Sequence, residues 1–299
     1  MNKPSFDSQS KLKLESPAVT AKVEDKHIRT ILKWPAIKNL EDVIYMKELA
    51  MLKKMEKKKG SRPPAKLSDA NNAGSKKGRE CILIIVEGDS AKTYASQGLK
   101  EGVFGKVGND WLGIYPIRGK PKNTREKTPV EVAKNQEIND IIKAVGLKYG
   151  VDYTLDENFN TLRYGQVLIL ADADVDGFHI CGLIQNMFHS LFPSLLKRPT
   201  PFLTSMQTPI VRVYTKEGDL LFYDEKEFSN YEKTANGKVN CKYYKGLGAS
   251  TKDDISETFG RKMVEFVEDE KTNESMLKAF HKKFADSRKD WLKDFNPSN

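Results

Sequence analysis

Between Arg79 and Phe192, short apolar runs alternate with segments of helical period. The runs are CILIIV (81–86), WLGIYPI (111–117) and QVLILA (166–171); the helical segments are SAKTYASQGL (90–99), VEVAKNQEINDIIKAVG (130–146) and GLIQNMFHSLF (182–192). Strands separated by helices predict a mostly parallel sheet with helices on both faces, an α/β fold. In such sheets ligands bind beyond the carboxyl ends of the strands. A strand pair (TPIVRVYT and LLFYD), a strand-like NCKYYKGLG and two charged C-terminal helices complete the chain.

The stretch ILADADVDGFHI (169–180) sets Asp172, Asp174 and Asp176 at every second position behind one of these strands. Three carboxylates so spaced repel one another unless a cation such as Mg²⁺ or Ca²⁺ neutralises them. The plain alternative is a turn, since Asp and Gly both favour one. A calcium loop fits the opening D-x-D-x-D-G but fails at its twelfth position, which is Leu183 instead of Glu, and the segment before it reads as a strand, not a helix. An aspartate nucleophile of the haloacid phosphatase type also follows an apolar strand, but needs no remote Glu. Here Glu87 closes the first strand as Asp172 follows the third, so acids distant in sequence can share one rim of the sheet.

With 299 residues, 38% of them hydrophobic, the chain can bury a real core and form one or two domains. No apolar run approaches a membrane span and the polar N-terminus has no signal-peptide core, so an intracellular protein of the cytoplasm or nucleus is expected, with no membrane partner. Cys81, Cys181 and Cys241 lie far apart, which suits a reducing compartment and a packing role. The net charge of +9, from 50 basic against 41 acidic residues, favours a polyanionic partner. One basic cluster runs from Lys53 to Lys66, on a helix expected from Leu40 to Lys58 and on the Gly/Pro/Asn-rich linker 60–78. The other, Arg118, Lys120, Lys122, Arg125 and Lys127, follows an apolar strand directly. The expected division is a connecting segment, 1–78, and an α/β domain with a helical C-terminal extension, 79–299.

Taken together, ILIIVEGDSAKTYASQGL, GIYPIRGKPKNTRE, EINDIIKAVGL, LRYGQVLILADADVDGFHICGL, TPIVRV and KYYKGLGAST resemble, in that order, the Toprim region of type IIA DNA topoisomerases, most closely the eukaryotic and viral type II enzymes. The resemblance implies a Rossmann-like Toprim fold with a mainly helical N-terminal extension and C-terminal helices. It implies Mg²⁺ held by Glu87, Asp172 and Asp174, with Asp176 completing the cluster; Mn²⁺ or Ca²⁺ could substitute in binding. Glu87 would double as a general acid and base. Arg118 and Lys120 would take part in catalysis through phosphates near the cleavage site, and Gly88, Asp89, Asn123 and Lys245 would join them in contacting double-stranded DNA. His179 resembles a family histidine, although Gly177-Phe178-His179 stands where relatives usually have Gly-Ser-His.

Upstream, PSFDSQSK resembles the transducer loop that reaches ATP, which would place Gln9 and Lys11 at the nucleotide, with Ser10 in place of a threonine. The family's attacking tyrosine lies in a winged-helix domain beyond the Toprim region, and none of the eleven tyrosines here matches its motif. The chain is therefore expected to be a Toprim subunit or fragment, with Met1 and the C-terminus favouring a subunit. Such a chain would work with an ATPase subunit or domain and a winged-helix subunit or domain, the assembled complex using ATP. Alternatives from other classes are a noncatalytic module that bridges those partners while holding DNA, and a Toprim nuclease or primase.

Overall fold

The computed structural model describes residues 24–59, 62–235 and 237–293. It divides into a unit ending at Lys47 and a unit beginning at Glu48. In the first, helix α1 (Asp25–Leu32) and the opening of α2 (Pro35–Lys59) bury none of residues 24–47. Pro35 starts α2 five residues before the expected Leu40, at the helix position where a missing N–H costs nothing.

The second unit contains strands β1 (Ile82–Glu87), β2 (Leu112–Ile117), β3 (Gln166–Leu170), β4 (Leu203–Met206), β5 (Val211–Thr215), β6 (Gly218–Phe222), β7 (Cys241–Tyr243) and β8 (Met263–Glu265). Its longer helices are α3 (Gly88–Gly98), α5 (Gln136–Val145), α7 (Val175–Leu191), α9 (Glu225–Thr234), α10 (Lys252–Thr258), α11 (Thr272–Phe280) and α12 (Ala285–Lys293). Single turns α4 (Pro129–Val132), α6 (Asp156–Phe159) and α8 (Pro193–Leu196) lie between them. The main sheet runs β2-β1-β3-β4-β8, parallel throughout except for the antiparallel β4–β8 pair. The α/β sheet expected from the alternation is thus the one observed. A second, antiparallel sheet runs β6-β5-β7.

Both faces of the main sheet are covered because the central strands β1, β2 and β3 are apolar on both faces over most of their length. Leu83 and Ile85 of β1 pack with Ile138 and Ile141 of α5 and Ile184 and Phe188 of α7. Ile82, Ile84 and Val86, one position out of phase, pack with Tyr94 and Ala95 of α3 and Ile255 of α10. At roughly 1.5–3 kcal/mol for each fully buried aliphatic side chain, these two layers dominate the folding energy of the unit.

Several local expectations differ from the structure. The single helix read over 130–146 is broken at Asn135, whose side-chain oxygen accepts from Ile138 N at 3.1 Å and so caps α5; Gly146, at φ 85°, closes it. Helix α7 starts at Val175 instead of Gly182, so the second half of the aspartate stretch, Asp176 included, is helical. β4 escapes a hydrophobicity pattern because it contains Thr204, buried with its hydroxyl accepting from Gln166 Nε2 at 3.0 Å. The stretch read as linker is anchored to the domain at several points: Pro64 and Ala70 are buried, Ser68 pairs with Ile114 at the edge of β2, and Ala70 N donates to Tyr164 Oη at 2.9 Å. Gly113 makes room for that phenol, since a Cβ there would lie 2.1 Å from Tyr164 Oη. The bridge covers part of an edge strand that would otherwise offer its ladder to another chain.

Candidate nucleic-acid interface

Parallel pairing sets Glu87 beside Ile117 and Val86 beside Leu170, so β1, β2 and β3 end at one rim. Glu87, Arg118 and Asp172 leave the sheet there. Gly88 turns β1 directly into α3 through φ 74°, a left-handed conformation that favours glycine, and nothing lies within 4 Å of where its Cβ would be. Asp89 is exposed in the first turn of α3. The N-termini of α3 and α7 both open onto this rim, and their partial positive charge favours anions.

The four acids are held differently. Asp172 Oδ1 accepts from Leu247 N at 2.8 Å, Asp174 Oδ1 caps α7 by accepting from Gly177 N at 2.7 Å, and Asp176 Oδ1 pairs with Lys120 Nζ at 2.6 Å. Gly177 is needed for this fit, because a Cβ there would sit 2.0 Å from the Asp172 carbonyl oxygen. Burial, followed by the charges of Asp172, Asp174 and Asp176, pushes the Glu87 carboxyl above its ordinary pKa, with Lys120 opposing. These are hard oxygen donors of the type Mg²⁺ takes, with mutual repulsion for a cation to relieve. As the side chains stand, no group of three or more among the described residues is gathered into a metal-holding geometry. The cap, the Leu247 bond and the Lys120 ammonium occupy part of the acids' capacity instead.

Arg118 and Lys120 are exposed at the same rim. Asn123 is exposed at the rim, but its amide is engaged within the protein: its Nδ2 donates to Phe280 O at 2.7 Å and its Oδ1 accepts from Arg125 N and Asn186 Nδ2. His179 is exposed on α7, beside an exposed Phe178. Gln9 and Lys11 lie outside the described residues.

KYYKGLG sorts into opposite roles. Leu247 is buried in the core layer between the sheet and α3, Lys245 projects into solvent, and a cavity of about 480 Å³ is lined by Asp174, Lys245, Ile210, Phe228 and Tyr243. Lys242 and Tyr244 turn to the buried Asp254 of α10, which accepts from both at 2.6 Å and from Thr251 N and Oγ1. Arg212 of β5 joins the group through Tyr244 Oη, Asp219 and Glu257. Burial raises the Asp254 pKa, but these donors outweigh it and hold the carboxyl well below the usual range. Sequence reasoning missed this network, and its one local signal was the Thr251–Asp254 capping box at the start of α10.

A parallel sheet with acids after its first and third strands, and a glycine turn folded back onto them, defines a Toprim-type α/β domain with a C-terminal associated part. Residues 82–203 match the Toprim domain family, and residues 206–299 match the C-terminal associated domain of Toprim. The chain belongs to the type II DNA topoisomerase family, of which it carries the Toprim region.

It is 36% identical over 323 aligned positions to DNA topoisomerase 2 of Invertebrate iridescent virus 6, spanning 100% of this chain and 28% of that relative. It is 38% identical to human DNA topoisomerase 2-alpha, spanning 98% of this chain and 20% of the relative. A solved structure titled as the DNA-binding, cleavage and re-ligation domain of Plasmodium falciparum topoisomerase II superposes with a TM-score of 0.68 at 35% identity, covering 80% of this chain and 33% of that one. The chain thus spans between a fifth and a third of these three proteins. Among the described residues no helix is long and apolar enough to cross a membrane.

Proposed function

We propose that this chain supplies the metal-holding and phosphate-holding part of an ATP-dependent type II topoisomerase, which cleaves, passes and rejoins double-stranded DNA. The observation that carries the reading is the meeting of Glu87, Asp172, Arg118, Lys120 and the Lys245–Leu247 turn at one rim, from segments far apart in sequence.

Glu87, Asp172 and Asp174 would hold Mg²⁺, with Asp176 completing the acid cluster. When bound, the ion offsets the charge that develops on a nonbridging phosphate oxygen and on the leaving 3′-oxygen. Arg118 forks phosphate oxygens while Lys120 and Lys245 supply point charges, and the backbone at Gly88 and Asp89 lies open to the same strand. Glu87, its pKa raised, is suited to keep a proton for the 3′-oxygen while metal is absent. Asn123 acts through the loop that it braces. The attacking tyrosine would come from a winged-helix subunit or domain and ATP would be used by an ATPase subunit or domain, in the cytoplasm or nucleus where DNA is found.

The test is plasmid cleavage by this chain reconstituted with those partners. Asp174→Ala should abolish Mg²⁺-dependent double-strand cleavage, and full cleavage by that variant would sink the metal assignment. The chain alone should give no protein-linked breaks, whereas nicking without an adduct would point to a nuclease.

A further inference from the structure

The loop that carries Arg118 and Lys120 is braced by a buried polar cluster with no charge partner at the acid rim. Asn186, fully buried in α7, accepts from Arg125 Nε at 3.0 Å and donates to Asn123 Oδ1 at 3.0 Å and Thr124 Oγ1 at 3.3 Å. Arg125 donates to His189 Nδ1 at 3.0 Å, and the hydroxyls of Thr124 and Ser190 lie 2.7 Å apart. One face of α7 therefore grips three consecutive loop residues. Toward the N-terminus of the same helix, about 15 Å away at 1.5 Å per residue, Asp176 pairs with Lys120. From the other side, Phe280 O takes the Asn123 amide and Glu126 Oε2 accepts from Lys282 N at 2.8 Å.

An apolar side chain at position 186 would fill such a space without the desolvation cost of burying an amide against a guanidinium. What the polar cluster adds is direction, since each of its hydrogen bonds tolerates little change in distance or angle. We infer that Asn186 and Arg125 are positioning residues that hold Arg118 and Lys120 at the rim, so that losing either disables phosphate contact by groups the substitution does not touch. This inference rests on the DNA-binding reading above and names what aims its basic residues.

The experiment is a salt titration of affinity for a short duplex, with the full chain at fixed Mg²⁺ and thermal unfolding as a check on folding. Each lost phosphate contact lowers the slope of log K against log salt by about 0.9, so Arg118→Ala with Lys120→Ala should flatten it by roughly two units. Asn186→Leu and Arg125→Met should each flatten it by about one to two units, and neither should flatten it further when added to that double variant. Asn186→Asp, which keeps the acceptor for Arg125 but loses the donors to Asn123 and Thr124, should recover only the part of the slope that Arg125 carries. Arg125→Met lies on the loop and keeps the test open if Asn186→Leu does not fold. A wild-type slope in both single variants, or additive flattening on the double variant, overturns this inference alone. An unchanged slope in the Arg118/Lys120 double variant overturns the DNA reading and this inference together.

Discussion

The backbone N–H of Leu247 donates to Asp172 Oδ1 at 2.8 Å, while the Leu247 side chain is sunk in the core layer between the sheet and α3. One residue thus bolts the glycine turn to the sheet and orients an acid of the rim.

The two glycines of that turn should respond differently to a methyl group. At Gly246 a Cβ would lie 2.9 Å from Asp172 Oδ2, whereas at Gly248 it would meet only Ser90 Cβ, at 3.7 Å. Gly246→Ala should cost about 1–3 kcal/mol in urea unfolding and Gly248→Ala much less. Equal midpoints for the two variants would show that the turn slides freely over Asp172.

Asp174 has two duties that substitution can separate. Asp174→Asn keeps an acceptor for Gly177 N–H and removes one charge from the cluster, so without Mg²⁺ its Tm should equal or exceed wild type. Asp174→Ala also loses the cap, at about 1 kcal/mol. Mg²⁺ at a hundred times its Kd should stabilise wild type by about 2.7 kcal/mol. Both variants should forgo that gain, and a Tm in Asp174→Asn that rises with Mg²⁺ as in wild type would refute the ligand role.

Asp254 should set an acid limit on stability. Its folded pKa lies below the unfolded 3.8, so the stabilisation is complete above about pH 4 and is lost as pH falls through the depressed folded value. Asp254→Ala, which strips a buried partner from Lys242 and Arg212, should cost about 3–5 kcal/mol at neutral pH. Unfolding midpoints for wild type and Asp254→Asn between pH 3 and 6 check the sign: the asparagine variant should lose the steepest part of the acid limb.

His189 acts in a higher window. Burial and then Arg125 lower its pKa below 6.5, with Glu268 opposing. As pH falls past about 6.5 the unfolded chain takes up the proton first, so stability declines from there down through the folded pKa. His189→Asn should reduce the difference in urea midpoint between pH 7.5 and 5.5. An unaltered difference would assign that pH dependence to other groups.

Much of the fold was legible because its signals are local. Three apolar runs separated by helical segments announce a parallel sheet, and Asn135 and Gly146 mark the bounds of α5 for a reader who weighs caps above periodicity. β4 and β8 were not legible: LTSM and MVE are short, and they are strands only because neighbours already in place offer them edges to pair with. The packing of 62–78 was hidden because Pro, Gly and Asn describe an ordered turn as well as a free linker.

At the rim the division is sharper. Strand ends are local, so the sequence by itself determined that Glu87, Arg118 and Asp172 leave the sheet together and that Lys245 stands on a glycine turn. Only the tertiary structure decided how each polar group is used. Lys242 and Lys245, three residues apart, end respectively on buried Asp254 and in solvent; Asn123, among basic residues, gives its amide to Phe280 O; Lys120 pairs with Asp176. The physical reason is that a charge or an amide is satisfied by whichever partner reaches it in space, and these partners lie in segments that only folding brings within hydrogen-bond distance.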